Sequence, residues 1–145
     1  TEDVSVDEVL DELLPDLMDI YEGKKIHLER AKGEEPFVIR CNHALAQIMV
    51  SNLVKNSLLH NREGGELHIV TTASSLIIKN SGEHPLDGEK LFRRFYRGID
   101  GKKDSTGLGL AIARSIALSA SLSLTYKWQE GMHLFLLVKE PQKKS

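Results

Sequence analysis

The sequence predicts an α+β fold, a two-layer sandwich in which helices pack on one face of a mixed, mostly antiparallel sheet. Two observations support this. Three segments carry apolar residues at helical spacing, and the strand-like segments come in adjacent pairs, as in hairpins rather than βαβ units. The chain has 145 residues, 41% of them hydrophobic, which is enough for the core of one domain. We expect residues 1–140 to form that domain and residues 141–145 a frayed tail.

The first half of the chain is predicted to contain an edge strand, a helix, a hairpin and a second helix. The first helix has an internal Pro15, and Asn42 is a candidate N-cap of the second. The hairpin is expected where alternating residues flank a turn. The predicted ranges are 4–6 for the strand, 7–22 for the helix, 25–30 with 37–40 for the hairpin, and 42–61 for the second helix.

The second half is predicted to add two hairpins and two helices around a polar loop. The loop, residues 98–106, is charged and rich in glycine, and we expect it to be mobile. The other predicted ranges are strands 66–72 and 76–80, a short helix 89–96, a helix 108–120, and a hairpin of 121–128 with 132–139.

The composition narrows the possible partners. The formal net charge is -2 without a basic excess, so nucleic acid is not an expected partner. No apolar run approaches the ~20 residues of a membrane span, so this domain is not expected to contact a membrane. Cys41 is the only cysteine, which excludes an internal disulfide and a cysteine metal cluster. The chain starts without Met or a signal peptide, so we expect a piece of a longer protein.

The helix predicted at 42–61 carries a stripe of polar residues. Asn52, Asn56 and His60 are spaced four residues apart, so they share one stripe, on the apolar side of the helix. An asparagine carbonyl is a neutral oxygen ligand suited to Mg²⁺ beside a polyphosphate. The alternative, which the pattern leaves open, is a pair of core amides bonded to loop backbone.

Asn80, Ser81 and Gly82 stand at the end of a predicted strand. The side-chain oxygen of Asn80 can accept a hydrogen bond, as the amino group of adenine would require. Gly82 suits a tight turn or a close backbone approach. An ordinary strand-to-loop turn is the alternative.

Residues 91–97 combine two phenylalanines with three arginines. One arginine could hold a phosphate through two parallel hydrogen bonds. The alternative is a solvated basic face that the two aromatic residues anchor.

Residues 105–111 contain two glycines where the polar loop becomes an apolar helix. Backbone N–H groups at such a helix start can bind an anion. The stretch is neither a P-loop nor a complete dinucleotide fingerprint, so alone it would be weak.

In this order the four motifs resemble the catalytic and ATP-binding domain of sensor histidine kinases. The catalytic domain of those kinases has the Bergerat-type fold and belongs to the superfamily that gyrase, mismatch-repair and chaperone ATPases share. The resemblance covers residues 4–138, and the stretches 91–97 and 107–113 match the kinase branch closely. It implies ATP and Mg²⁺ as cofactors.

The resemblance also implies roles for the residues of the first two motifs. Asn56 matches the metal-ligating asparagine and a catalytic role, and Asn52 matches the supporting asparagine one turn earlier. His60 stands on the base or phosphate side of the nucleotide. Asn80 and Gly82 match the positions where the family usually has Asp-x-Gly and the acid binds adenine.

The later motifs correspond to the lid and the phosphates. Phe92 and Phe95 match the aromatic pair that anchors an ATP lid at residues 98–105. Arg97, the second catalytic candidate, matches an arginine that can approach the terminal phosphate. The further candidates for nucleotide binding are Lys102, Lys103, Thr106, Gly107, Leu108 and Gly109.

Four positions depart from the family pattern. Asn80 replaces the usual aspartate, so it keeps an acceptor but loses the charge, which predicts weaker adenine binding. His84 and Ser105 stand where glycines are common, and Leu59 where many relatives have lysine.

Asn52 favours phosphoryl transfer over hydrolysis. In the ATPase branch a glutamate at this position is the general base for water, and asparagine has no group that titrates. The sequence therefore predicts phosphoryl transfer to another group. The resemblance implies that the chain is a monomeric catalytic domain that transfers the γ-phosphate of ATP to a histidine on a separate dimerisation domain, absent from this chain. The resemblance implies a response regulator receiver domain as the next partner. It also implies a cytoplasmic location within a larger, inner-membrane or soluble sensor.

Two other functions remain open at the level of sequence. The changed adenine motif could belong to a degenerate module, a pseudokinase that regulates a partner by contact. A stand-alone serine kinase of the anti-sigma type shares the fold, although residues 91–97 favour the sensor-kinase branch.

Overall fold

The computed structural model describes residues 1–94 and 108–140 of the chain. Within these ranges the α-helices are α1 (Val6–Ile20), α2 (His43–Leu59) and α3 (Gly109–Ser119). The strands are β1 (Glu2–Ser5), β2 (His27–Lys32), β3 (Val38–Cys41), β4 (Glu66–Thr71), β5 (Ser75–Ser81), β6 (Leu122–Gln129) and β7 (Met132–Lys139). Among these helices, none is both long enough and apolar enough to cross a membrane.

Five strands form one mixed sheet in the order β2-β4-β5-β7-β6. All neighbours are antiparallel except β2 and β4, which are parallel. Side chains alternate across the sheet, so Ile69, Ile78 and Phe135 are buried on the helix face while Ile77 and Leu136 are half-buried on the other face. The predicted α+β class, with helices on one face of a mostly antiparallel sheet, is confirmed.

The predicted hairpin of residues 25–30 with 37–40 is wrong. β3 pairs antiparallel with β1, Val4 opposite Ile39, in a separate two-stranded sheet, and β2 pairs with β4 instead. Alternation fixes which face of a strand is buried but not which strand it pairs with. Here the start of α1 holds the segment that leads into β3, because the Val6 N–H donates to the Phe37 carbonyl at 2.8 Å.

The first helix begins one residue earlier than predicted, at Val6, so the edge strand is Glu2–Ser5 rather than 4–6. Ser5 caps it by accepting a hydrogen bond from the Glu8 N–H at 3.2 Å. Pro15 lies inside α1 without ending it, on the exposed side of the helix.

Asp7 ties α1 to both sheets, which the sequence did not suggest. Its buried carboxylate accepts from the Phe37 N–H at 2.8 Å and from the Thr71 hydroxyl at 2.5 Å. The Arg30 guanidinium lies 4.0 Å away and also hydrogen-bonds to Asp11, which holds the pKa of the Asp11 carboxyl below its usual value.

The short helix predicted at 89–96 is not formed at residues 89–94, which make successive turns; residues 95 and 96 lie outside the described ranges. The N–H groups of Lys90 and Leu91 both donate to the Asp87 carbonyl. The apolar side chains of this segment instead pack against other parts of the fold. Leu91 is buried, and the Phe92 ring meets Phe135 edge-on with centroids 6.3 Å apart.

Candidate functional site

Glu66, the first residue of β4, connects the segment after α2 to the end of β5 through two hydrogen bonds. The buried Asn61 amide donates to the Glu66 carbonyl at 2.9 Å, and the Glu66 N–H donates to the Ser81 hydroxyl at 2.9 Å. The last turns of α2, which carry Asn56, therefore lie at the same end of the sheet as Asn80. The fold thus brings together the first two motifs of the sequence.

Both ends of α2 are fixed by side chains. Asn42 caps its start, as predicted, by accepting a backbone N–H at 3.1 Å. The Lys24 ammonium donates to the carbonyls of Leu58 at 2.9 Å and Asn61 at 3.1 Å, where a cation also complements the helix dipole. Sequence reasoning missed Lys24, because the contact joins residues more than thirty positions apart.

Asn52 and Asn56 are half-buried rather than fully on the apolar side of α2. Within residues 1–94 and 108–140, neither side-chain amide makes a hydrogen bond. The alternative of amides bonded to loop backbone therefore has no support in this part of the chain. A Cβ placed on Gly109 would lie 3.8 Å from the Asn52 Cγ, so the start of α3 lies against Asn52.

Asn80 presents a buried acceptor without a partner. Its side chain is 1% exposed, and its amide nitrogen donates to the Ser81 carbonyl at 3.1 Å. Its Oδ1 has no hydrogen-bond partner in the described part of the chain. A buried acceptor left unpaired costs about 1–3 kcal/mol, so a ligand that donates a hydrogen bond there would be favoured.

Gly82 allows a close approach that no other residue would permit. A Cβ at this position would lie 2.3 Å from His133 Nε2 and 3.1 Å from the Trp128 ring. The glycine is therefore required by packing against β6 and β7, rather than by a turn alone. His84, which replaces a family glycine, is exposed.

His60 is the C-cap residue that follows α2, and its N–H donates to the Asn56 carbonyl at 3.1 Å. Leu108 precedes Gly109, the first residue of α3, and stands at the N-cap position of this helix. The other predicted site residues lie outside the described ranges, as does the predicted lid at 98–105. They are Phe95, Arg97, Lys102, Lys103, Thr106 and Gly107.

Comparison with known proteins assigns the chain to one family. The family model described as "Histidine kinase-, DNA gyrase B-, and HSP90-like ATPase" matches residues 41–142, which include both asparagine motifs and the glycine motif. The chain belongs to this family.

The chain is similar in sequence to sensor histidine kinases. The sensor histidine kinase HprS of Escherichia coli (strain K12) is 31% identical over 111 residues, which are 68% of this chain. Those residues span 25% of the relative, so the domain corresponds to about a quarter of that protein. The predicted resemblance to the catalytic ATP-binding domain of sensor histidine kinases is confirmed.

Solved structures share the fold over nearly the whole chain. A mycobacterial sensor histidine kinase, MprB, has a TM-score of 0.80 at 21% identity, covering 95% of this chain and 97% of that one. The catalytic domain of the histidine kinase ThkA has a TM-score of 0.78 at 20% identity, covering 94% and 92%. At these identities the likeness establishes the fold.

Proposed function

We propose that this domain binds ATP with Mg²⁺ and transfers the γ-phosphate to a histidine on a separate dimerisation domain. The observation that carries this proposal is the unpaired, buried Oδ1 of Asn80. This oxygen lies at the end of the sheet that is joined to the end of α2. The chain also belongs to a family of ATPases.

The base would be held at Asn80 and Gly82. The Asn80 amide nitrogen is already engaged with the Ser81 carbonyl, so its oxygen remains as the acceptor. The amino group of adenine is a donor that would satisfy this oxygen, whereas the carbonyl of guanine or hypoxanthine would not. The site therefore favours ATP over GTP and ITP.

The phosphates and the metal would be held between α2 and α3. Asn56 is the proposed Mg²⁺ ligand, with Asn52 and His60 beside it, and their half-buried side chains suit hard-oxygen and hydrogen-bonding contacts. The metal would neutralise charge on the phosphates during transfer. Backbone groups at Leu108 and Gly109 and, from the resemblance, Arg97, Lys102, Lys103, Thr106 and Gly107 would supply the remaining phosphate contacts.

Transfer rather than hydrolysis follows from Asn52. It lies against the start of α3, on the phosphate side of the proposed site, and its amide cannot take a proton from water. Phosphoryl transfer needs chiefly positioning and charge neutralisation, which neutral amides and cations can provide.

The proposed partners follow from the kinase branch. We infer that residues 1–140 form a monomeric catalytic domain in the cytoplasmic part of a larger sensor. Its substrate would be the parent's dimerisation domain, and a response regulator receiver domain would then take the phosphate.

Mixing this domain with Mg-ATP and its parent dimerisation domain tests the proposal. The expected product is an acid-labile phosphohistidine on the dimerisation domain. A dimerisation domain with its acceptor histidine replaced by glutamine serves as the control and stays unlabelled. If ATP binds but no phosphohistidine forms, the transferase proposal is wrong. If calorimetric titration with ATP is flat with and without Mg²⁺, the domain is instead the regulatory, non-binding module.

The variant Asn80→Asp is expected to preserve or tighten ATP binding. Aspartate keeps an acceptor for adenine, and the matched variant Asn80→Leu removes it at similar size. The leucine variant should lose about tenfold in affinity, the equivalent of one hydrogen bond to a buried group. Calorimetry with ATP measures both. A large loss in the aspartate variant would show that Asn80 binds the base through its amide nitrogen instead.

A further inference from the structure

His133 lies beside the proposed base-binding residue. It is the direct cross-strand neighbour of Asn80 in the pairing of β5 with β7, and both side chains are buried. Residues opposite each other in register share a face of the sheet, so the His133 ring and the Asn80 amide lie together on the helix face.

The His133 ring fills the space that a side chain at Gly82 would occupy. A Cβ there would come within 2.3 Å of Nε2, so the backbone of Gly82 rests on the imidazole. The ring is also packed on its other neighbours, with centroids 4.9 Å from Trp128 and 5.8 Å from Tyr126. The position of His133 therefore sets the position of the chain immediately after Asn80.

One hydroxyl ties this segment to two strands. The Tyr126 oxygen accepts the Leu86 N–H at 2.9 Å and lies 2.8 Å from His133 Nδ1. A backbone N–H can only donate, so the oxygen is the acceptor towards Leu86. The same hydroxyl can donate its proton to Nδ1 in the tautomer that leaves this nitrogen unprotonated. Residues 82–86 are thereby held against β6 and β7 at both of their ends.

We propose that Tyr126 and His133 are positioning residues for the adenine end of the ATP site. They fix residues 82–86 so that the Asn80 oxygen and the Gly82 backbone are presented to the base. Other side chains, Asn42 and Lys24, fix the two ends of α2, which carries the proposed phosphate and metal residues. This inference rests on the proposed function, because it gives Tyr126 and His133 a role in binding the base of ATP and none in binding its phosphates.

The test is Tyr126→Phe in the full 145-residue chain, with calorimetric titration by ATP and by ITP, which lacks the amino group of adenine. We expect ATP affinity to fall about tenfold and ITP affinity to fall much less, so that discrimination between them shrinks. The matched control is Tyr21→Phe, which removes a hydroxyl from a half-buried tyrosine at the end of α1 and should change neither affinity.

A second pair of variants separates positioning from packing. His133→Asn keeps an acceptor near the place of Nδ1 and should retain more ATP affinity than His133→Leu, which has none. Melting temperatures of all variants are measured in parallel.

The outcomes distinguish this inference from the function on which it rests. If the unmodified chain does not bind ATP, the proposed function itself is wrong. If it binds ATP and Tyr126→Phe binds both nucleotides as tightly as before, the positioning role is wrong. The role is equally wrong if both affinities fall by one factor, which would indicate general loosening of the fold.

Discussion

Replacing Asn56 with alanine is expected to abolish Mg²⁺-dependent ATP binding while leaving the fold nearly intact. The Asn56 side chain makes no hydrogen bond within the described ranges. The backbone carbonyl of Asn56 accepts a hydrogen bond from the His60 N–H. Alanine keeps that carbonyl and is a better helix former than asparagine. The stability change should therefore stay within about 0.5 kcal/mol, as for an ordinary surface substitution.

The affinity change should be far larger than the stability change. Even residues that only support a metal ligand typically cost 10–100-fold in metal affinity, so loss of the proposed ligand should cost at least about 100-fold. Calorimetry with ATP, with and without Mg²⁺, measures this loss, and thermal unfolding measures stability. The control is Lys55→Ala, an exposed neighbour on the same helix, which should change neither. A collapse in melting temperature with unchanged affinity would make Asn56 a structural amide.

Local patterns predicted the elements that carry the site. Helical spacing with an Asn42 cap located α2 to within two residues at each end, and alternation located β4 and β5. These features depend on neighbours a few residues apart, which a sequence displays directly. The family resemblance implied that Asn56 and Asn80 serve one nucleotide, and the fold brings both to the same end of the sheet.

The features that sequence reasoning missed all depend on contacts between distant residues. β3 pairs with β1 beside a contact of Asp7, at the start of α1, with the N–H of Phe37, just before β3, and the alternation of β3 itself does not display this contact. Tyr126 alternates with polar residues and His133 lies between two apolar ones, so neither pattern indicates a contact, and only the folded chain places His133 against Gly82 and Tyr126 beside His133. The spacing of Phe92 and Phe95 suggested a helix, although residues 89–94 form turns and the Phe92 ring packs on the distant Phe135.

Asp7 reads in the sequence as an ordinary acidic residue of a first helical turn, where carboxylates are favoured in any case. Burial gives it a different role. Its two oxygens accept from the Phe37 N–H and the Thr71 hydroxyl, so one side chain joins α1 to the residue before β3 and to β4. We therefore expect the fold that carries the proposed ATP site to depend on a residue outside the four motifs of the sequence.

Asp7→Ala is accordingly expected to lower the free energy of unfolding by about 3 kcal/mol. The Phe37 N–H and the Thr71 hydroxyl would each lose a hydrogen bond to a charged acceptor, which contributes about 1.5–3 kcal/mol to stability. Water that hydrogen-bonds to these donors would offset part of this loss. Asp7→Asn should cost less, because an amide can still accept from one donor. Urea unfolding followed by circular dichroism measures both. The matched control is Glu8→Ala, an exposed acid in the same turn, and a loss for Asp7→Ala no larger than for this control would contradict the anchoring role.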